Sequence, residues 1–358
     1  MSQTMILTGD VNLMNVTEPK VSFRQVRSMF KSADAVFSNM ECCLYMPAGR
    51  RAVENEGFFA APGPAGKALK YAGIHAVGIA NNVNYGEAAI TSSVARLDKL
   101  GIPHAGAGAG RDAAHAPVIL KRNGTRFGFL QRTSVYWPTN HEAAQNAAGV
   151  AVIRAHTAYQ LPLHKTRREV PPCNRPGLPP TIITWADAAY LQKFKDDIAA
   201  LRAKADIVVA SCHWGLNEDP LQYMVEIAHA AIDSGADVVM GHGPHVMLPV
   251  EVYKGKPIYY GLGRFSFHSG HHAGKAPGDW VGMMARLEIE SRKLRSAAFQ
   301  FVRHNQANET VPCALANEQV VLADMVARSA RLGVTLEPRG DQVFFGLGRG
   351  GAKRNRSR

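Results

Sequence analysis

Residues 75–86 read HAVGIANNVNYG, a short apolar run followed directly by a polar segment with three asparagines. The apolar part, residues 75–80, has the length and composition of a buried strand. A simple turn needs only one asparagine, so three in one turn indicate that it also carries polar groups for another purpose. The same pattern, a buried strand that ends in a polar cluster, recurs along the chain.

Short apolar runs alternate with segments of helical periodicity, which predicts an α/β fold with helices layered on sheets. The predicted strands are residues 5–9, 34–39, 75–80, 206–212 and 237–241. The predicted helices are residues 21–33, 63–73, 88–101 and 190–205. Hairpin signals at Asn123-Gly124 and Lys254-Gly255, with an antiparallel pair over residues 280–302, predict mixed rather than purely parallel sheets.

The composition is that of an ordinary globular protein. With 46% hydrophobic and 20% charged residues in 358, the chain is long enough to bury one large core with additions. Its five cysteines lack metal-type spacing and are interpreted as reduced thiols. Neither a signal peptide nor a run of about 18 apolar residues is apparent, so we expect a cytoplasmic protein without a transmembrane anchor.

The formal net charge is +12, and basic residues cluster in the segment 164–175 and at the end of the chain. Such clusters attract nucleic acid, an acidic polymer or anionic lipid, or are simply a solvated loop and terminus. RNA-binding aromatic motifs and zinc-finger spacings are absent from the sequence, which argues against a dedicated nucleic-acid reader. A small molecule, a peptide or an anionic polymer remains open as substrate, and the sequence does not define the oligomeric state.

The chain is predicted to form one main domain over residues 1–303. Its proline-rich segment at about 140–185 is predicted to be an insertion or lid without regular structure. Residues 304–345 are predicted to form a helical and strand extension, and residues 346–358 a basic flexible tail.

Polar clusters follow the predicted strands at their C-terminal ends, where open α/β sheets bind ligands. They are GDVN at 9–12, SNME at 38–41, ANNVNYG at 80–86, SCHWGLNEDP at 211–220 and GHGPHVMLPVE at 241–251. Carboxylates, amides and imidazoles that converge on one rim suit one or two divalent ions such as Mn, Fe or Zn. Two such ions polarise a substrate and lower the pKa of a bound water.

These clusters resemble the motifs of the CapA family of capsule and poly-γ-glutamate synthesis proteins, part of the calcineurin-like metallophosphoesterase superfamily. The resemblance runs from about residue 4 to 303, carried by GD at 9–10, N-x-E at 39–41, ANN at 80–82, HWG at 213–215 and IDSGADVVMGHGPHV at 232–246. It implies a four-layer α/β/β/α sandwich of metallophosphoesterase type with mixed sheets. It also implies a metal centre formed by Asp10, Glu41, Asn82, His213 and His245.

Two departures from the family pattern bear on the chemistry. Relatives typically read NNH in the third cluster, with a histidine that resembles the general acid or anion-stabilising group of phosphoesterases, and this chain has Val83 there. The family's H-P-H pair appears here as Gly243-Pro244-His245, with His242 one residue upstream as a substitute metal ligand.

The predicted catalytic residues are Asn39 of the N-x-E motif, His242 and Arg264. Arg264 replaces an asparagine of the family and is suited to hold a substrate carboxylate or phosphate, or else to form a surface ion pair. The metal ligands have structural alternatives too: turn caps for Asp10 and Asn82, and a satisfied core position for His213.

Three functions are compatible with these motifs. A metal-dependent phosphoester hydrolase needs a proton donor for the leaving group, and the loss of an imidazole at Val83 would cost it about 10²–10⁴-fold in rate. A metal-assisted peptide or amino-acid epimerase moves a proton α to a carbonyl and needs no such donor. A non-catalytic component of a polymer-synthesis assembly would only hold an acidic chain. We expect an enzyme, with its reaction class open.

Overall fold

The computed structural model describes residues 2–47, 58–137, 141–161, 163–164, 173–174, 177–216, 219–267 and 280–348. The strands in these ranges are β1 (Ser2–Asn12), β2 (Ala35–Met40), β3 (Cys43–Leu44), β4 (Phe59–Ala60), β5 (Ala76–Gly78), β6 (His104–Ala105), β7 (Ala107–Gly108), β8 (Val118–Arg122), β9 (Thr125–Thr133), β10 (Gly149–Val150), β11 (Ala155–Gln160), β12 (Leu163–His164), β13 (Cys173–Asn174), β14 (Thr181–Ala186), β15 (Ile207–His213), β16 (Val238–His242), β17 (Met247–Tyr253), β18 (Lys256–Leu262), β19 (Arg264–Phe267), β20 (Gly282–Glu290), β21 (Lys293–His304), β22 (Thr310–Pro312), β23 (Leu336–Arg339) and β24 (Gln342–Phe345). The helices are α1 (Arg27–Ser32), α2 (Pro62–Ala72), α3 (Glu87–Leu100), α4 (Arg111–His115), α5 (Ala188–Arg202), α6 (Gln222–Asp233) and α7 (Gln319–Arg331), with a short 3-10 helix at Leu315–Asn317.

Two mixed sheets form the centre of the fold. The larger sheet has the order β23-β24-β21-β20-β1-β2-β5-β6, with β19 beside β1 and β22 beside β21. Its strands β1, β2, β5 and β6 are parallel, whereas β20, β21, β23 and β24 extend it by antiparallel pairing. The smaller sheet has the order β17-β18-β16-β15-β9-β8, with an antiparallel hairpin at each edge of its parallel centre.

The two sheets pack face to face, and helices cover both outer faces. Leu7 and Phe37 of the larger sheet share one core cluster with Phe129 and Val209 of the smaller sheet, and the rings of Phe37 and Phe129 stack at 4.6 Å. A second cluster joins the outer face of the larger sheet to α1, α2 and α3, and a third joins the outer face of the smaller sheet to α5 and α6. The four-layer α/β/β/α prediction is therefore confirmed.

Burial on both faces explains why the central strands read as continuous apolar runs. In β1, Met5 and Leu7 point to the core between the sheets, while Ile6 points to the helices. Successive side chains of a strand alternate between its faces, so a strand covered on both sides has no polar alternation. The predicted central strands accordingly match β1, β2, β5, β15 and β16.

The predicted hairpins at Asn123-Gly124 and Lys254-Gly255 connect β8 to β9 and β17 to β18. The expectation that segment 140–185 lacks regular structure is only partly right. Despite its prolines it contains a two-stranded ribbon, in which β11 pairs with β14 from Ala155–Ala186 to Gln160–Thr181.

Within the predicted extension 304–345, β24 pairs with β21 and so lengthens the larger sheet. Most of the predicted tail, residues 349–358, lies outside the described residues. Among the described helices none is long and apolar enough to cross a membrane.

A buried ion pair ties β9 to α5. The guanidinium of Arg132, which is 1% exposed, lies 2.6 Å from the Asp197 carboxylate. Asp197 also contacts the ring of His115 and the ammonium of Lys193. Burial alone would raise the pKa of Asp197, but the hydrogen bond with His115 and the charge of Arg132 hold it well below its usual range. The folded state therefore depends on an ionised Asp197 to compensate a buried cation.

Replacing Asp197 by alanine should strongly destabilise the protein, because Arg132 would then be a buried charge without its partner. Loss of one member of a buried pair typically lowers the free energy of unfolding by about 3–5 kcal/mol. Urea denaturation of Asp197→Ala measures this loss. The matched control is Asp196→Ala, one position earlier on α5 and exposed, for which we expect a change within about 0.5 kcal/mol. Equal effects of the two substitutions would contradict a stabilising role for the ion pair.

Candidate metal centre

Strands of both sheets end at one edge of the sandwich, with polar residues at or next to their ends. β1 and β2 are parallel neighbours with Asp10 aligned to Asn39, and β15 and β16 are parallel neighbours with His213 aligned to His242. Because the carboxyl ends of parallel strands meet at the same edge, these residues form one rim. The fold brings all the predicted metal ligands together there, namely Asp10, Glu41, Asn82, His213, His242 and His245.

Asp10 is fully buried at the centre of this rim. Its Oδ1 accepts a hydrogen bond from Nδ2 of Asn39 at 2.8 Å, and its Oδ2 lies 2.8 Å from Nδ1 of His245. The preceding Gly9 lets β1 pass close to the turn at Gly263, because a Cβ on Gly9 would lie 1.9 Å from the Gly263 carbonyl oxygen. The Asp10 N–H donates to that same oxygen at 2.9 Å. The GD motif thus fixes the carboxylate at a point of close backbone approach.

Three imidazoles approach the rim from the smaller sheet and the turn that follows it. Nδ1 of His213 lies 3.0 Å from Nδ1 of His242, and Nε2 of His213 lies 2.9 Å from Oδ1 of Asn82. His245 has φ 62°, in the left-handed region that side chains rarely adopt. Such strain is concentrated at functional sites, and here it accompanies an imidazole directed at Asp10.

The substitution of the family's first H-P-H histidine by Gly243 has a steric reason. Gly243 has φ 119°, and a Cβ there would lie 2.8 Å from the Trp214 carbonyl oxygen. This backbone therefore has no room for a histidine at position 243. His242, the last residue of β16, carries an imidazole into the same rim, as the sequence predicts for a substitute ligand.

Two sets of three potential ligands share the carboxylate of Asp10. One set is Asp10, His213 and His242, and the other is Asp10, Glu41 and His245. Within each set the ligand atoms all lie within 4.8 Å of one another. One carboxylate common to two sets is the arrangement expected for two neighbouring ions.

The electrostatics of the two buried carboxylates differ. Burial raises the pKa of Asp10, but the hydrogen bond with His245 opposes burial, and this pKa lies well below its usual range. For Glu41, burial and the charge of Asp10 both raise the pKa, opposed only partly by Arg264. Burial lowers the pKa of His213 and brings that of His242 to about 4. Both imidazoles are thus neutral, the form that binds metal ions.

These residues fit a divalent ion. Glu41 is 1% exposed, and its Oε2 has no hydrogen-bond partner among the residues that the structure describes. Two adjacent buried carboxylates are costly unless a cation compensates them. Carboxylate, amide and imidazole donors together match the ligand preferences of Mn, Fe and Zn.

The three asparagines of the segment after β5 have different tasks. Asn81 donates to the Met40 carbonyl at 2.9 Å, and Asn84 donates to the Ile79 carbonyl at 2.9 Å. Both hold the turn, whereas Asn82 faces His213 at the rim. Val83 is 3% exposed and therefore packs rather than facing solvent. Asn81 and Asn84 thus have the structural role of holding the turn, whereas Asn82 is the asparagine placed to act as a metal ligand.

Gln131 is a residue of the site that the sequence reasoning missed. Its Nε2 lies 2.9 Å from Oδ1 of Asn39 and 3.1 Å from Nε2 of His242, and its Oε1 accepts from the Ala80 N–H at 2.7 Å. The hydroxyl of Ser211 also lies 2.8 Å from Nε2 of His242. Gln131 thus links both sheets behind the rim. Gln131 lies near the C-terminal end of β9. The rule that polar residues at the C-terminal ends of strands form the site, which located the other clusters, could therefore have found it.

Arg264 lies beside the two carboxylates. It aligns with Asp10 in the pairing of β19 with β1, and its guanidinium carbon stands 5.1 Å from the centre of the Phe267 ring. It is partly buried, and its charge opposes the raised pKa of Glu41. A cation thus lies beside the two buried carboxylates of the rim.

We expect Gln131→Ala to weaken metal binding without removing a ligand. The substitution deletes the donor to both Asn39 and His242, and losing such an outer partner typically lowers metal affinity by about 10–100-fold. Competition with a chelator, for Mn, Fe and Zn in turn, measures the affinity. The control is Gln300→Ala, a similarly buried glutamine on β21 whose side chain contacts the Cys313 carbonyl. Unchanged affinity in Gln131→Ala would contradict a positioning role.

Comparisons with known proteins show the family of this chain. The family model described as bacterial capsule synthesis protein PGA_cap matches residues 4–269. An uncharacterized protein of Sinorhizobium fredii is 27% identical over 310 residues, covering 74% of this chain and 66% of that protein. The PGA biosynthesis protein CapA of Bacillus subtilis is 28% identical over 263 residues, covering 71% of this chain and 60% of that protein. The chain thus spans less than two thirds of the length of either relative.

A solved structure described as a novel phosphatase of Mycoplasma pneumoniae aligns over 85% of this chain and 94% of its own, with 12% identity and a TM-score of 0.45. A likeness of this degree supports no conclusion about function. The family match covers most of the chain and includes Asp10, Glu41, Asn82 and the histidines of the rim. The protein therefore belongs to the bacterial capsule synthesis protein family, PGA_cap, and CapA of Bacillus subtilis is one of its relatives.

Proposed function

We propose that this protein is a metal-dependent phosphoester hydrolase that acts in capsule, poly-γ-glutamate or peptide metabolism. The observation that carries the proposal is the buried Asp10 carboxylate, which belongs to two sets of potential ligands at once. A shared carboxylate between two ions is typical of hydrolytic centres for phosphoesters. Capsule and polyglutamate metabolism follows from the family and from its relatives' names.

Six residues would hold the ions: Asp10, Glu41, Asn82, His213, His242 and His245. Divalent ions bound there would polarise a phosphoryl oxygen and lower the pKa of a water molecule. Asn39 fixes Oδ1 of Asp10 through its amide N–H. His242 is fully buried, and Nε2 faces Ser211 and Gln131 while Nδ1 faces His213. These contacts favour a ligand role for His242 over proton exchange with solvent.

Arg264 would bind the anionic group of the substrate. Its guanidinium is planar and forms paired hydrogen bonds with phosphate or carboxylate oxygens. Its place beside Asp10 and Glu41 puts that recognition next to the ligand sets. The guanidinium also lies over the Phe267 ring, with its carbon 5.1 Å from the ring centre.

Val83 favours a second candidate function. A buried hydrocarbon stands where relatives carry the imidazole that serves the leaving group, and this loss is costly for hydrolysis. Proton transfer α to a carbonyl in a peptide or amino acid needs stabilisation of a negatively charged oxygen and no leaving-group acid. The same metal centre and Arg264 would serve this epimerase chemistry.

Elemental analysis of the untagged protein tests the metal centre. We expect near one or two divalent ions per chain, strongly reduced in Asp10→Ala and His245→Ala, because both substitutions remove potential ligands. His229→Ala is the control, since this histidine lies on α6 and pairs with Glu251 instead. Absence of metal after reloading with Mn, Fe or Zn would rule out both catalytic candidates and favour a non-catalytic component of a polymer-synthesis assembly.

Turnover of an aryl phosphate by the metal-loaded protein tests hydrolysis. We expect slow turnover that falls by at least about 10²-fold in Asp10→Ala, with His229→Ala unchanged. Mass spectrometry of peptides and amino acids incubated in heavy water is the complementary measurement. Deuterium incorporation without aryl-phosphate turnover would overturn the hydrolase proposal in favour of the epimerase.

A further inference from the structure

Exposed apolar side chains lie at the edge of the sandwich that carries the metal centre. Trp137 follows shortly after the end of β9, and Leu216 shortly after the end of β15. Val246, directly after His245, is exposed as well. Exposed apolar groups next to a polar centre typically mark sites of ligand binding or interaction. Metal binding does not explain these side chains, because an indole or a hydrocarbon offers no ligand atom to such an ion.

Trp137 extends from a segment that is fixed next to the potential ligand His213. The Ser134 N–H donates to the His213 carbonyl at 2.9 Å. The hydroxyl of Tyr223 lies 3.1 Å from the Ser134 hydroxyl and accepts the Gly215 N–H at 2.7 Å, so the segments after β9 and β15 share one partner. Three residues of chain span at most about 11 Å. The Cα of Trp137 therefore lies within that distance of Ser134, beside the rim.

Tyr85 brings a second aromatic ring to Trp137 from the segment that carries the potential ligand Asn82. The centres of the two rings lie 5.9 Å apart with 79° between their planes, an edge-to-face contact. Tyr85 contacts the ring of His141 in a similar way, at 5.5 Å and 82°. Asn82, shortly before Tyr85 in the chain, lies with its Oδ1 2.9 Å from Nε2 of His213. The aromatic pair therefore joins the two segments that carry this contact between potential ligands.

His141 holds the aromatic pair in place. This imidazole is buried. Its Nδ1 accepts the Trp137 N–H at 3.3 Å, and its Nε2 contacts the Asn84 carbonyl. Each ring nitrogen is thus engaged by the backbone of one of the two aromatic segments, so His141 supports them and is not available as an acid or base. A surface that is fixed before binding loses less conformational entropy when a ligand binds.

One face of the Trp137 indole is open. A neighbouring ring in an edge-to-face pair covers at most one face of its partner, and among the described residues Tyr85 is the ring that contacts Trp137. The indole is 37% exposed, although tryptophan is usually well buried. Small-molecule sites combine apolar and aromatic walls with a few polar groups that fix the ligand. The rim supplies the polar groups, and the aromatic pair supplies such a wall.

We propose that Tyr85 and Trp137 form an aromatic wall that binds an aryl group of the substrate, while Arg264 and the ions hold its phosphate. The substrate class is then a phosphoester that carries an aryl group, since an acidic chain without rings offers nothing to stack on this wall. The exposed Leu216 and Val246 would extend the apolar surface. The inference rests on the proposed function for the position of the phosphate and on the ring geometry for the position of the aryl group.

Isothermal titration calorimetry of the metal-loaded protein with two phosphonates tests the inference. Benzylphosphonate carries the aryl group, methylphosphonate lacks it, and both lack an ester bond that could be hydrolysed. We expect benzylphosphonate to bind about 10-fold or more tightly, because ring contacts add to the burial of apolar surface. Trp137→Ala should reduce this preference to less than about 3-fold and leave the affinity for methylphosphonate unchanged, whereas Trp137→Phe should retain most of the preference.

The matched control is Trp185→Ala, because Trp185 is 41% exposed on β14 and contacts His156 instead. We expect it to leave both affinities unchanged. No binding of benzylphosphonate, equal affinities of the two phosphonates, or a preference that persists in Trp137→Ala would overturn the inference. Cyclohexylmethylphosphonate that binds as tightly as benzylphosphonate would also overturn it, in favour of an apolar contact without aromatic selectivity.

The two proposals fail separately. Aryl-phosphate turnover without a preference for benzylphosphonate would contradict the aromatic wall alone. A preference that depends on Trp137, without any turnover, would contradict the proposed hydrolysis alone.

Discussion

The structure depends on the compensation of a buried negative charge, the carboxylate of Asp10, where the two sheets meet. Asn39 from the larger sheet and His245 from beyond the smaller sheet contact its two oxygens. A buried carboxylate is tolerated only when hydrogen bonds and opposite charges replace the lost water. The proposed metal binding, the packing of the two sheets at this edge and the strained conformation of His245 all relate to this buried charge.

The departures from the family pattern alter this centre without dismantling it. Gly243 has no room for a side chain, and His242 fills the adjacent space from the end of β16. Val83 is different, because it is a buried hydrocarbon. Two imidazoles contact the residues on either side of it: His213 contacts Asn82, and His141 contacts the Asn84 carbonyl. Burial lowers the pKa of His141 to about 4. The sets of potential ligands are thus retained, whereas the side chain at position 83 has no proton to donate to a leaving group, which makes the reaction class the central question for the protein.

The two ends of the sandwich differ in chemical character. The carboxyl ends of the strands gather buried carboxylates and neutral imidazoles, which suit a cation. At the other end of the strands the carboxylates of Asp237 and Asp206 are already compensated by cations of the chain itself, Arg202, Lys256 and Arg126.

The sequence by itself determined the central strands, since strands buried on both faces require continuous apolar runs. The rule that parallel strands end together located the polar clusters of the rim, and the resemblance to the family singled out Asp10, Glu41, Asn82 and the rim histidines within them. The sequence also predicted both sheets as mixed, from turn residues whose backbone conformation is locally encoded. Only the tertiary structure decided that Gln131 joins the two sheets behind the rim, that Arg264 faces the carboxylates, and that Asn82 rather than Asn81 or Asn84 faces His213. The ribbon of β11 and β14 also formed against the local proline signal. The physical reason is that register and side-chain direction between segments distant in the chain follow from packing, which no local pattern specifies.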